Sequence, residues 1–277
     1  MISVLILTKN EEANLPRLLA ACTFSDDIVV VDSGSTDATL QIAHDHGARV
    51  FFREWDNERA QREYALKEPK FKYPWVYNPD ADEVPEPDLI REMLSVAANP
   101  GVQENGFRVR FKNMFMGKWI KHSSIYPTWV LRLVRPDKVS MDRDINLIFS
   151  VDGKEGTLAG HFLHYSFNKG LEDWLAKHNR YSTFEAVENI KHLTTGHLDI
   201  AGLLSAFNPV RRRKALKELS FRLPCRPALR FLYMYCFRLG FLDGAAGYHY
   251  CRLLAYYEYM IVLKMREIRL KNLGNSL

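Results

Sequence analysis

The sequence predicts an α/β protein, a doubly wound and mostly parallel sheet followed by a helical extension. Three observations carry this. Short apolar runs alternate with helix-period segments through the first hundred or so residues. Polar clusters recur where those runs end, the rim at which open α/β sheets bind ligands. From Asn208 onward the chain turns basic, aromatic and apolar together. The division expected is residues 1–200 for the α/β domain and 201–277 for the extension.

Taken in order, Ile2–Leu7 is a branched apolar run and reads as a first strand. Asn14–Cys22 has helical spacing at Leu15, Leu18 and Leu19, with Pro16 tolerated in a first turn. Asp27–Val31 is a second strand. Ser35-Thr36-Asp37 supplies cap chemistry for a helix over Thr39–His46 that ends at Gly47. Ala48–Phe52 is a third strand, Glu58–Lys67 a helix, and Trp75–Asn78 a fourth strand. Leu89–Ala98 is a helix. Gly106–Phe111 and Thr128–Val134 alternate like antiparallel strands. Ala159–Phe167 is a further strand, and Leu171–Glu188 a helix.

Composition bounds the class. Of 277 residues, 47% are hydrophobic and 26% charged, as in an ordinary globular protein. The formal charge is +5, and it is uneven: Arg211–Arg238 holds nine Lys/Arg against one acid, Glu218. Cys22, Cys225, Cys236 and Cys251 show no Cys-x-x-Cys spacing, so neither a zinc site nor a disulfide framework is expected, and a reducing cytoplasmic setting is the default. The apolar start lacks a basic leader region and stops at Thr8, which favours a buried strand over a signal segment. No window offers the ~20 uncharged apolar residues a spanning helix needs.

The chemistry concentrates at strand ends. Thr8-Lys9-Asn10-Glu11 follows strand one, Asp32-Ser33-Gly34-Ser35 strand two, and Asp80-Ala81-Asp82 strand four. Residues i and i+2 of an extended segment point the same way. Two such carboxylates repel unless a cation lies between them. Mg²⁺ is usually held by one or two carboxylates plus substrate phosphates, so this spacing suggests a metal–diphosphate site. Asp32, before a glycine turn, can accept hydrogen bonds from a base or ribose. The turn Ser33–Asp37 is neither a Gly-x-Gly-x-x-Gly fingerprint nor a Lys-Ser/Thr phosphate loop, and the dehydrogenase and phosphate-loop classes lose support.

The motifs Leu7-Thr8-Lys9-Asn10-Glu11-Glu12, Val30-Val31-Asp32-Ser33-Gly34-Ser35-Thr36-Asp37 and Asp80-Ala81-Asp82-Glu83, in that order, resemble a family 2 glycosyltransferase of GT-A fold, in the bacterial branch that builds lipopolysaccharide cores and exopolysaccharides. The resemblance covers roughly residues 1 to 190. It implies a nucleotide-sugar-binding mixed sheet in which Thr8, Glu11 and Asp32 contact the nucleoside. It implies that Asp82 ligates Mg²⁺ or Mn²⁺ on the donor diphosphate, with Asp80 beside it. Gln61-Arg62-Glu63-Tyr64-Ala65-Leu66 resembles the family's Gln-Arg-Asn-x-Ala-Leu, which turns Arg62 toward the nucleotide and puts Glu63 where Asn is usual.

Glycosyl transfer needs a stabilised leaving diphosphate and a base for the acceptor hydroxyl. By resemblance the base lies in Met141–Leu147, with Asp144 the first candidate and Asp142 behind it. Many relatives carry an acid where this chain has Leu147, which cannot take a proton. His161 and His164 are expected on one face of a strand, and the resemblance makes His164 a further metal ligand. Lys177-His178-Asn179-Arg180-Tyr181, on a helix, is a candidate for the diphosphate or an acceptor phosphate; Arg132 and Arg135 are candidates for the acceptor site.

In the extension, Arg226, Arg230 and Arg238 stand on one broad helical face, with Leu229, Phe231, Leu232, Tyr233, Tyr235 and Phe237 filling the rest. Such a helix lies in a membrane interface with arginines on anionic headgroups; the alternative is a helical pair packed on protein. Tyr248–Leu263 is a second aromatic-rich helix. Nucleic acid is not expected, because bulky apolar residues interleave the charges. The expected function is thus a metal-dependent inverting glycosyltransferase, peripheral on the cytoplasmic face of the inner membrane. Its donor is a nucleotide sugar, a UDP-sugar favoured, and its acceptor a lipid-linked saccharide. A catalytically silent, membrane-docked subunit of a polysaccharide assembly complex is the alternative; Leu147 favours it, and Asp32, Asp80 and Asp82 count against it. A nucleotidyltransferase is a third reading.

Overall fold

The computed structural model describes all residues except 143–147, 196–198, 204–207, 209, 210, 213, 214, 216–218, 220–222, 224 and 275–277. By contacts it divides into two units. The first comprises Met1–Trp119 and Ile125–Lys169, and the second Ile120–Ser124 and Gly170–Leu277. The helix Gly170–Thr195 thus groups with the C-terminal residues, and the expected division at residue 200 falls inside the second unit.

In the first unit, β1 (Ser3–Thr8), α1 (Leu15–Ala21), β2 (Ile28–Asp32), α2 (Thr39–Asp45), β3 (Arg49–Phe52), α3 (Glu58–Lys67) and β4 (Val76–Tyr77) follow the predicted alternation. Then come β5 (Glu83–Pro85), α4 (Pro87–Ala98), β6 (Glu104–Phe115), β7 (Lys118–Trp119), β8 (Trp129–Val134), β9 (Val139–Asp142), β10 (Ile148–Val151) and β11 (Lys154–His164). The main sheet runs β3-β2-β1-β4-β8-β6-β11-β5, with β7 beside β6. Strands β1 to β4 pair in parallel, whereas β8 is antiparallel to β4 and to β6. β9 and β10 form a separate two-stranded hairpin.

Period two on β1 explains its continuous apolar run. Ile2, Val4 and Ile6 pack under Leu15, Leu18, Leu89 and Met93 on one face. Leu5 joins Val29, Val31, Ala65, Leu66 and Val76 on the other. A strand buried on both faces leaves no polar side to alternate with. α3 starts where Asn57 Oδ1 accepts from the Ala60 N–H at 2.9 Å.

In the second unit, the long helices Gly170–Thr195 and Gly244–Asn272 pack through Ala186, Ile261 and Met265. Here one expectation is corrected. Arg226–Arg238 is not a single amphipathic helix. An α-helix spans Arg226–Leu232, a π-helical turn spans Tyr233–Phe237, and Leu239 takes a left-handed backbone with φ 61°. Arg226 turns inward to Glu258 at 2.9 Å, and Phe231 stacks on Tyr235. Among the described residues, no helix is long and apolar enough to cross a membrane.

Candidate active site

Parallel pairing sets Thr8 of β1 opposite Asp32 of β2 at the carboxyl end of the sheet. Thr8 Oγ1 donates to Asp32 Oδ2 at 2.9 Å. The Gly34 and Ser35 N–H groups each donate to Asp32 Oδ1 at 2.8 Å, and the Ser35 hydroxyl donates to Oδ2. Gly34 has φ 86°, which lets the chain curl around the carboxylate. The buried anion is therefore met entirely by neutral donors. Asn10 ties the first loop to this turn: its N–H donates to Ser35 Oγ, and its Oδ1 accepts from the Thr36 N–H, both at 2.8 Å. Gln61 Nε2 donates to Ser33 Oγ at 2.9 Å. Next along, Glu11 accepts from Lys169 Nζ at 2.6 Å and from Asn14 Nδ2 at 2.8 Å. Burial raises the Glu11 pKa, against the pull of Lys169 and Asn14.

Asp80 continues the line of β4, bridging in parallel to Leu7. Both of its oxygens are taken by arginines. Arg62 Nη2, from α3, donates to Oδ1 at 2.8 Å, and Arg132 Nη2, from β8, donates to Oδ2 at 2.6 Å. Arg132 Nη2 also reaches buried Glu83 Oε1 at 2.6 Å, and the Asp80 N–H donates to Glu83 Oε2 at 3.1 Å. Burial alone would raise the Asp80 pKa, but Arg132 and Arg62 hold it well below the carboxylate range. Glu83 goes the other way, pushed up to about 7 by burial and by Asp80, with Arg132 opposing. Arg62 Nη1 and Arg132 Nε are buried with no hydrogen-bond partner among the described residues.

His164, at the end of β11, lies opposite Glu83 on β5 and Asn113 on β6. Its Nδ1 is 2.9 Å from Asn113 Oδ1, a contact that a proton on Nδ1 satisfies. Its Nε2 is 3.3 Å from Asp82 Oδ2. A bare imidazole nitrogen and a carboxylate oxygen at that separation need a proton or a cation between them. Burial opposes a charged His164, but Asp82, Glu83 and Asp80 together raise its pKa. The pair suits a hard divalent cation with two protein ligands, the rest of its shell left to phosphate and water. Asp80 is not turned to this point. Accordingly, no group of three His, Cys, Asp or Glu side chains is gathered for a metal among the described residues.

The expectation that His161 and His164 share a face is corrected: they stand three residues apart on β11, so they point to opposite sides of the sheet. His161 Nε2 meets Tyr126 Oη at 2.8 Å instead. Asp142, at the end of β9, is exposed. Asp144 and Leu147 lie outside the described residues. Glu63 faces Arg59 on the outside of α3 at 3.0 Å, which removes it from the cluster. Arg132, expected near an acceptor, is the bridge between Asp80 and Glu83; Asn113 and Lys169 were not foreseen. Of these only Glu83 had a local signal, since it completes the acidic motif.

Residues 3–169 match the family model described as glycosyl transferase family 2. An uncharacterized glycosyltransferase of Rickettsia typhi is 28% identical, over 98% of this chain and 88% of the relative. The lipopolysaccharide core biosynthesis glycosyltransferase LpsC of Rhizobium meliloti is 27% identical, over 69% of this chain and 72% of that protein. Among solved structures, residues 1–349 of S. aureus TarS align with TM-score 0.42 at 14% identity, covering 97% of this chain and 91% of that one.

Proposed function

We infer the reaction from one premise: the chain belongs to glycosyl transferase family 2, and it is a transferase enzyme. We propose that it moves a sugar, with inversion, from a nucleotide-sugar donor to a lipid-linked saccharide. UDP-sugars are the first donors to test. A polyprenyl-diphosphate oligosaccharide or a lipopolysaccharide core is the acceptor class, a reading the name of the Rhizobium relative supports. Such acceptors place the work at the cytoplasmic face of the inner membrane. The mixed sheet of the first unit supports a GT-A architecture for the catalytic domain.

The observation that carries this reading is the Asp82–His164 pair, a carboxylate oxygen and an imidazole nitrogen 3.3 Å apart beside the Thr8–Asp32 rim. Mg²⁺ or Mn²⁺ held by Asp82 and His164 would supply Lewis-acid charge on the leaving diphosphate. Asn113 fixes the tautomer that leaves Nε2 free to ligate. Thr8, Asp32 and Glu11 present acceptors and a hydroxyl to the nucleoside. Arg62, held by Asp80, contributes fixed positive charge next to where the diphosphate lies in this reading, and its unmet Nη1 favours an anion. In our reading Asp144, with Asp142 behind it, takes the proton of the attacking hydroxyl.

A thermal-shift panel of UDP-, GDP- and dTDP-sugars, each with Mn²⁺ and with EDTA, tests the donor site. The expected result is stabilisation by one nucleotide class that EDTA removes. No shift with any nucleotide would overturn the reading.

A further inference from the structure

The segment Leu229–Leu242 in the second unit carries a dense run of large apolar side chains that point outward. Phe237 is 80% exposed and Leu242 58% exposed. Leu229, Leu232, Tyr233, Leu239 and Phe241 are also exposed. This outward display is built in. Met234, Gly240, Ala246, Gly247 and Cys251 are buried and pin the turn to the long helix. A Cβ on Gly247 would stand 2.1 Å from Gly240 O, and one on Gly240 would stand 2.7 Å from Met234 O. Only glycine permits that approach. With these positions turned in, the left-handed Leu239 and its neighbours are forced out, and a leucine at φ 61° is itself strained.

We propose that this tip, Phe237 with Leu239, Phe241 and Leu242, is a wedge that inserts into the interface of an anionic lipid bilayer. Charge chooses this occupant over a second protein. By sequence, Arg211–Arg238 carries nine Lys/Arg and one acid. Arg226 pairs with Glu258 and Arg211 with Asp199, and Arg230 and Arg238 lie in the same segment as the apolar tip. Apolar side chains seated at the acyl boundary, with cations at headgroup level, are the arrangement of interfacial binding. An apolar interface between proteins would instead be depleted in charge at its centre. The inference rests on the lipid-linked acceptor proposed above, since it supplies the route to that acceptor. The element is a short turn, not the long amphipathic helix that the sequence alone suggests.

Cosedimentation of the full chain with phosphatidylcholine vesicles, and with vesicles of phosphatidylglycerol and phosphatidylcholine in equal parts, tests it. The wild type should bind the anionic vesicles, less so as salt rises, and bind neutral ones weakly. Phe237→Glu with Leu242→Glu should lower partitioning by about tenfold or more, with an unchanged thermal melt. Phe237→Ser with Leu242→Ser, a milder pair, stands in if the charged pair does not fold. Equal binding by wild type and variants, or no binding by the wild type to either vesicle, would overturn the wedge. So would a vesicle-free dimer of the wild type that the variants abolish, which would assign the tip to a second copy. UDP-sugar binding measured without lipid should be the same in wild type and variants; its absence from both would strike the donor reading and leave the wedge standing.

Discussion

Asp32 and Asp80 end segments that flank β1 in one sheet, yet they are held by opposite means. Asp32 sits among four neutral donors, all within its own turn or on the adjacent strand. Asp80 sits between two guanidinium groups, brought from α3 and β8. A carboxylate met by dipoles stays available to a ligand that offers another neutral donor, such as a ribose hydroxyl. A carboxylate clamped by Arg62 and Arg132 is spent on ordering positive charge, and that order serves an anion. Under the reaction proposed above, the contrast would divide the rim into a nucleoside side and a diphosphate side.

The largest effect should come from breaking the charged side. Arg132→Met leaves Asp80 with one partner and Glu83 buried with no arginine, and removing one member of a buried ion pair costs roughly 3–5 kcal/mol. Urea unfolding should show this as a lower midpoint with an unchanged slope. A loss below about 1 kcal/mol would mean that the two carboxylates take up protons or solvent without penalty. Next in size is Asp82→Ala. It should lower turnover by about a hundredfold or more, roughly 3 kcal/mol of barrier, and abolish the Mn²⁺-dependent part of nucleotide stabilisation. Asp82→Ala with wild-type turnover would remove the metal pair from the reaction. Thr8→Val removes a single neutral donor from Asp32 and should cost about 1 kcal/mol of stability. A cost equal to that of Arg132→Met would erase the distinction between the two sides.

The same contrast explains how far the site was legible. Asp32 was readable because its partners are local: Gly34 and Ser35 lie two and three residues on, and turn chemistry is written in short sequence. The parallel strands β1 to β4 were readable from their apolar runs, and the Glu58–Lys67 helix was placed to the residue. The Asp80 clamp was not, because Arg132 is 52 residues away and only the antiparallel return of β8 beside β4 delivers it. Asn113 needs the β6–β11 register, and Lys169 reaches Glu11 across 158 residues. The π-helical turn was missed for a different reason: period counting assumes that a helix continues, and Leu239 leaves it without a glycine or proline at that position.

A third carboxylate sharpens the comparison, because it lies at the opposite ends of the same strands and combines both modes. Asp27 accepts from the Ser3 hydroxyl, from the Lys72 N–H at 2.7 Å and from Arg49 Nη2 at 2.7 Å. Burial alone would raise its pKa, but these bonds win and hold it below the ordinary aspartate value. A group depressed in the folded state contributes stability that is fully present above its unfolded pKa and is lost as pH falls through the folded one. Asp27 should therefore stabilise the fold from about pH 5 upward and cease to do so in the acid range below its folded pKa. Asp27→Asn keeps the shape and removes the titration. Its melting temperature should fall below that of the wild type at neutral pH, and the two curves should converge as the pH is lowered past 3.8. Parallel curves across that range would show that Asp27 acts through shape alone.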